Sequence, residues 1–425
     1  MVVGLVGGVV GCRSGGDRAG RDESQIIDEG PSVAPGGGRG DAGAIVTGDE
    51  GPAPTYPRVP FSRVDDELDR RVADAGLGGA SLLVVQDGAL LHRHDVGSVG
   101  PTTPARVGES ARWFLAVVVA MLVDDGSLSL DDPVSRHLPE LFPADGSGRE
   151  RITVRQLLSH TSGLPTDLRC GGDEQPACDD ALRATPLAAA PGEVFAVSAV
   201  DDDVLIRLVE QRTGRPWSEV ATTRLLEPLG MVATTVDPGV AAAAPGPIGA
   251  PGPTAPSPAG TSAVPEAPTP DPPGSIPPPG GLHRLDAMTT GLDLSRFLGF
   301  VLARGLTPDG RRLVAERSVL ALEHDETSRL DTAAEPWVAW TGIPTYGLGV
   351  WRDRLRGDDT AAMVSAAGRF GAYPFVDRSR NAFGVLVVDD RAGAGEAAVT
   401  ASSRLVQGLV PPAVDSEGRP LRRAG

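Results

Sequence analysis

The hydrophobic pattern along the chain changes period several times, and each change marks an element. Val64, Leu68 and Val72 recur at helical spacing and predict a helix over 64–75. ASLLVVQ (80–86) and ALLHRHDV (89–96) flank Asp87-Gly88, a strong two-residue turn signal, so this stretch reads as a β-hairpin. RWFLAVVVAMLVDDG (112–126) is apolar almost all round. A helix of that kind is buried on every side, and Gly126 closes it. ITVRQLLSHTSGLP (152–165) predicts a second helix of this block, ending in a loop punctuated by Gly and Pro. DDDVLIRLVEQRTG (201–214) follows with Gly214 as its C-cap, then WSEVATTRLLEPLGM (217–231) and TTGLDLSRFLGFVLARG (289–305). Strand patterns come at 346–353, 361–366, 372–377 and 382–390, and a helix at about 396–410 closes the domain.

Other stretches carry no such period. Fourteen of residues 245–279 are proline, which no core element survives, so 240–280 is read as an inserted surface loop. Residues 13–60 are rich in Gly, Asp, Pro and Ser and read as a disordered tether; 411–425 reads as a disordered tail. Strands thus come early and late, with helices between. That order predicts one α+β domain over 61–410, its sheet assembled from both chain ends and an all-α lobe inserted.

The chain opens on a short apolar run, Val2–Val10, ending in Gly11-Cys12. It falls well short of the roughly 20 residues that span a bilayer. It reads as the apolar region of a secretory signal over residues 1–12, and Val9-Val10-Gly11-Cys12 resembles a bacterial lipobox with Cys12 as the lipidated residue. The expectation is an extracytoplasmic surface lipoprotein held to the membrane by that anchor. Cys170 and Cys178 sit in CGGDEQPAC, a spacing unlike a zinc ribbon. In an exported chain they read as a disulfide, with two free thiols as the alternative.

Composition narrows the chemistry. Lys+Arg number 39 against 56 Asp+Glu, and 39 − 56 = −17, which disfavours nucleic acid and a polybasic grip on lipid. Every one of the cations is arginine; the chain has no lysine, a single asparagine, Asn381, and tyrosine only at 56, 346 and 373. A lysine base, a Schiff base and a Walker lysine are therefore excluded. Arg39-Gly40-Asp41, an adhesion tripeptide, is read as chance in a Gly-rich tail.

RVGESARWFLAVVVAMLVDDGSLSLDDPVSRHLPEL (106–141), ITVRQLLSHTSGLP, PGEVF (191–195), LLEPLGM (225–231), the 289–305 helix and YGLGVW (346–351) occur in an order that resembles the serine β-lactamase and penicillin-binding-protein family, of the class C and DD-peptidase type. The resemblance covers about 62–410. It implies a β-lactamase/transpeptidase-like fold, an antiparallel sheet flanked by helices plus the all-α lobe, with the site between them. It also implies three motifs, and all three are degenerate. S-x-x-K reads Glu109-Ser110-Ala111-Arg112, and arginine does not release its proton near neutral pH. Y-x-N reads Val197-Ser198-Ala199. K/H-x-G reads Ala366-Ala367-Gly368, where only the glycine survives, to let substrate approach the strand.

These positions predict a catalytically inactive member that binds a cell-wall peptide or a protein partner. An active hydrolase with relocated residues and a purely structural surface protein are the alternatives. Glu109 and Arg112 read as an i,i+3 ion pair, or Arg112 as a binder of a ligand carboxylate, or Glu109 as a nucleophile or base. Ser110 half-matches a nucleophile elbow, without its final glycine. His160, beside Ser162, reads as a structural histidine bonded to backbone. His92 and His94 share a strand face with no third ligand evident, so no metal is expected, and no cofactor.

Overall fold

The last strand shows how the sheet is buried. In β8 (Ala382–Val388), Phe383, Val385 and Val387 enter one apolar cluster, while Ala382, Leu386 and Val388 enter another. Side chains of a strand point alternately to opposite faces, so both faces of this strand are covered. The computed structural model describes residues 61–166, 168, 175–236, 285–330, 345–355, 360–368 and 370–389. All lie within Gly43–Gly425, one compact unit. Cys12, the 13–60 and 240–280 segments, Cys170, the side chain of Cys178, the 396–410 helix and the 411–425 tail lie outside what is described.

The main sheet is six-stranded and antiparallel throughout its pairings, in the order β2-β1-β8-β7-β6-β5. β1 (Gly79–Gln86) and β2 (Ala89–Gly97) form the expected hairpin, with Asp87 and Gly88 both at positive φ as a primed turn requires. β1 then pairs with β8, with Leu82 opposite Leu386. β5 (Trp351–Leu355), β6 (Ala361–Ser365) and β7 (Tyr373–Asp377) complete the sheet. The sheet assembled from both chain ends is therefore present.

On one face lies α1 (Ser62–Asp74), which buries Val64, Leu68 and Val72. Its rim is polar: His92 Nε2 lies 2.7 Å from Asp65, His94 Nε2 2.7 Å from Asp69, and Phe61 stacks on His92. On the other face lies the larger core. α2 (Arg112–Asp124) is buried on nearly every side, from Arg112 to Leu122. Around it stand α3 (Val154–Leu158), α4 (Gln175–Ala184), α5 (Ala199–Thr213), α6 (Trp217–Ala221), α7 (Gly291–Leu302) and α8 (Glu316–Leu322). α7 packs on β8, β7 and β1. A short two-stranded sheet joins β3 (Ala105–Arg106) to β4 (Met288–Thr289).

Three expectations need correction. The 152–165 helix is a single turn, Val154–Leu158. Thr153 and Gln156 start it with a capping box, and His160 stops it at φ +56, a left-handed conformation that cannot continue a helix. The 346–353 strand begins only at Trp351, because Gly349 at φ +87 and the Gly347 N–H to Val350 carbonyl bond turn the chain first. The helix α4 was not expected: the Gly/Pro loop between the cysteines suggested none over 175–184. Among the described residues no helix is long and apolar enough to cross a membrane.

Candidate functional site

Three segments converge at the start of α2. A 3₁₀ turn, Gly108–Ala111, leads straight into Arg112. Beside it run residues 366–368, which follow β6, and the segment 195–198, which leads into α5. These are the three degenerate motif positions, and the fold brings them together.

Along this seam the described groups contact one another. Ser110 is buried, and its Oγ donates 2.6 Å to the Ala366 carbonyl. A carbonyl oxygen is no base, so this contact spends the hydroxyl proton on tying the turn to the sheet. Ala366 and Ala367 are buried. Gly368 donates its N–H 2.8 Å to Ala372. A Cβ at 368 would collide with the Val107 carbonyl oxygen and lie 2.7 Å from Ser110 Oγ. The expectation that Gly368 makes room for substrate is therefore corrected: the room it leaves is taken by the backbone of the 107–110 turn. Gly368→Ala should cost about 1–3 kcal/mol, the usual range for overpacking, because rigid backbone atoms must yield. Chemical denaturation of the two proteins checks this; equal midpoints would show that the turn moves aside freely.

Arg112 is buried at 3% side-chain exposure and makes an ion pair with Asp202 of α5, itself 9% exposed. Its Nη2 also donates to the carbonyls of Leu157 (2.7 Å) and Leu158 (3.1 Å). Those carbonyls close α3, and the last carbonyls of a helix lack partners within it and attract cations. This is the physical reason that Arg112 turns inward to Asp202 and does not pair with Glu109, as its i,i+3 spacing suggested. The same contact corrects the reading of Arg112 as a free binder of a ligand carboxylate. Burial lowers its pKa, opposed by Tyr346 and Asp201 nearby. Arginine still keeps its charge at neutral pH. Glu109 is half-buried in the 3₁₀ turn.

Behind Arg112 lies a buried polar cluster. Asp201 accepts from Ser162 Oγ at 2.6 Å through Oδ1, and its Oδ2 lies 3.0 Å from His160 Nδ1. The Ser198 N–H donates to the same Nδ1 at 3.2 Å. Tyr346 and Phe195 pack against the His160 ring, and Trp351 against both of them, at centroid distances of 4.8–6.4 Å. Ser162, Asp201 and His160 do not form a hydrolytic triad. The aspartate stands between serine and histidine, so no imidazole faces the hydroxyl to take its proton. Ser198 caps α5 through its Oγ on the Val200 N–H. Val197 packs against the α1-side core, and Ala199 opens α5.

Sequence reasoning missed Asp201 and Asp202. The Asp201-Asp202-Asp203 run reads as acids favoured in a first helical turn. All three are buried. The available signal was angular: successive helical residues step by about 100°, so three in a row cannot all face water on a helix whose later residues are apolar. Tyr346 was used only as part of a family phrase.

Comparison with known proteins places this arrangement. The family model described as Beta-lactamase matches residues 64–408. "Penicillin-binding protein 4" of Amycolatopsis lactamdurans is 31% identical over 321 residues, 68% of this chain and 79% of that protein. "Protein flp" of Staphylococcus aureus is 27% identical over 187 residues, 41% of this chain and 38% of that protein. Among solved structures, a "putative beta-lactamase" from Bacteroides dorei superposes with a TM-score of 0.65 at 22% identity, covering 83% of this chain and 99% of that one. A "penicillin-binding protein homologue" from Pyrococcus abyssi gives 0.59 at 20% identity, covering 82% and 77%. At these identities the two structures show the shared fold alone.

Proposed function

The chain belongs to the β-lactamase family, and from that premise we propose that it is a catalytically inactive member, a binding protein on a serine-hydrolase fold. One observation carries this reading. Where the family's lysine would stand, Arg112 is buried against Asp202 and two backbone carbonyls, so the residue at that place supplies no base to the position of the nucleophile. Lysine is absent from the whole chain, which leaves no substitute elsewhere. Ser110, the hydroxyl nearest the lost serine in sequence, is spent on Ala366.

The retained role is binding of a cell-wall peptide or a protein partner. The lipobox-like Val9-Val10-Gly11-Cys12 supports an extracytoplasmic, lipid-anchored location. Intact-protein mass spectrometry after incubation with a penicillin tests the inactivity: the mass should be unchanged. A stoichiometric covalent gain would overturn the reading, and the adduct would identify the residue responsible. For the anchor, Cys12→Ala should shift the protein out of the membrane fraction or leave it unprocessed. Unaltered fractionation and processing would remove the lipoprotein reading.

A further inference from the structure

The two contacts at His160 Nδ1 constrain where the hydrogens of this cluster lie. An imidazole nitrogen carries either a hydrogen or a single in-plane lone pair. Nδ1 faces two groups: the Ser198 N–H at 3.2 Å, which needs a lone pair, and Asp201 Oδ2 at 3.0 Å. Both contacts are favourable only if Asp201 carries a proton and donates it toward Nδ1, sharing the lone pair with Ser198. If Asp201 is ionised, Nδ1 must carry hydrogen and donate to it, and the Ser198 N–H is left without its acceptor.

Charge around the pair favours the protonated acid. Among the described residues, the titratable and charged groups that face it are Arg112 from α2, Asp202 from α5 and Tyr346 from the segment before β5. Arg112 is already matched by Asp202. An ionised Asp201 would therefore be a second anion at 1% exposure. Burial pushes its carboxyl up to about 7, against the pull of Ser162 and Arg112. Burial, with Arg112 adding to it, also holds the His160 ring well below the ordinary histidine range, so the ring is neutral.

What Nδ1 holds is the segment that leads into α5. Besides the Ser198 bond, the Ala196 N–H donates to the His160 carbonyl (3.0 Å) and the Gly192 N–H to the Thr161 carbonyl (2.7 Å). The segment carries Val197 and Ala199, the two replaced positions of the second degenerate motif. His160 keeps its left-handed backbone, φ +56, at the centre of this attachment.

We propose that His160 and Asp201 form a pH-gated latch: a proton on Asp201 lets Nδ1 hold the Ser198 amide, and its departure frees that amide and loosens the 195–199 segment, which keeps its Ala196 bond. In the release step the carboxyl proton goes to solvent. The ring's one hydrogen moves from Nε2 to Nδ1, where it is donated to the new carboxylate. No net charge is added to the ring, and the Ser198 N–H loses its acceptor. This assigns regulation to the seam read above as a non-catalytic site, and it rests on that reading.

Nitrogen NMR of the full chain reads the histidine tautomer directly, and amide exchange reads Ser198. Well below pH 7 the His160 hydrogen should sit on Nε2; well above it, on Nδ1. Ser198 should lose at least about tenfold in protection over that interval, beyond the ordinary base-catalysed rise. Asp201→Asn should abolish both changes, because the amide nitrogen donates permanently to Nδ1 and its oxygen still accepts from Ser162. A ring with hydrogen on Nδ1 below pH 7, a tautomer unchanged across the interval, or an Asp201→Asn variant that switches like the parent would each overturn the latch. The tautomer measurement on the parent alone decides if the variant does not fold. Failure of the latch leaves the penicillin test untouched, so the two readings fall separately.

Discussion

Arg112→Met should cost about 3–5 kcal/mol of folding stability, the range found when one partner of a buried ion pair is removed. The loss comes mainly from what is left behind. Asp202 becomes an uncompensated buried carboxylate, and the carbonyls of Leu157 and Leu158 lose one of their donors, keeping the N–H groups of His160 and Gly349. Asp202→Leu should be costly for the converse reason. The double variant Arg112→Met with Asp202→Leu should recover most of the combined loss, because apolar groups of similar volume need no partner. Urea denaturation of the four proteins closes the cycle. Additive costs with no recovery would mean that the two residues are not energetically paired. A cost below about 1 kcal/mol for Arg112→Met would mean that the pair is not holding the seam.

Restoring the family's first motif should not restore acylation. Loss of the nucleophile in a serine hydrolase costs on the order of 10⁶ in turnover, and loss of its partners adds little to that. Glu109→Ser with Arg112→Lys brings back the two residue types but not their surroundings. Asp202 lies where the new ammonium would reach, and an adjacent carboxylate holds lysine in its charged form, unable to accept the serine proton. The 107–110 turn also still packs against Gly368. Hydrolysis of a chromogenic cephalosporin by this double variant should therefore stay at the uncatalysed background. Measurable burst acylation would show that Asp202 swings away and that the seam opens to substrate.

Much of the fold was legible because its elements carry strong periods. The α2 run, apolar on all sides, and the Asp87-Gly88 hairpin leave few alternatives, and both stand where expected. The short helix α3 was overextended because apolar spacing continues past its end. What stops it is the backbone of His160, a tertiary constraint that no residue pattern announces. At the site, the substitutions at 109, 112, 197, 199 and 366 could be read, but their consequences could not. Whether an arginine three residues from a glutamate pairs with it depends on which carboxylates and helix-end carbonyls lie nearby. Leu157 and Leu158 come from an element some forty positions further along the chain. The helix that carries the Asp run of α5 was legible; that one aspartate neutralises Arg112 and its neighbour faces His160 depends on where the helix docks.

The pairing of β1 with β8 has a consequence for the order in which the chain can become stable. β1 leaves synthesis early, but the strand that covers its inner edge, opposite Leu82, is among the last to appear. Until then the β1–β2 hairpin has a bare edge, and a two-stranded hairpin is marginal on its own in water. α1 and α7 likewise lack the finished sheet against which they bury their apolar faces. A ribosome-bound nascent chain therefore lacks a complete nucleus for its sheet, and assembly waits on a closure between distant segments, the slow step in folds of high contact order.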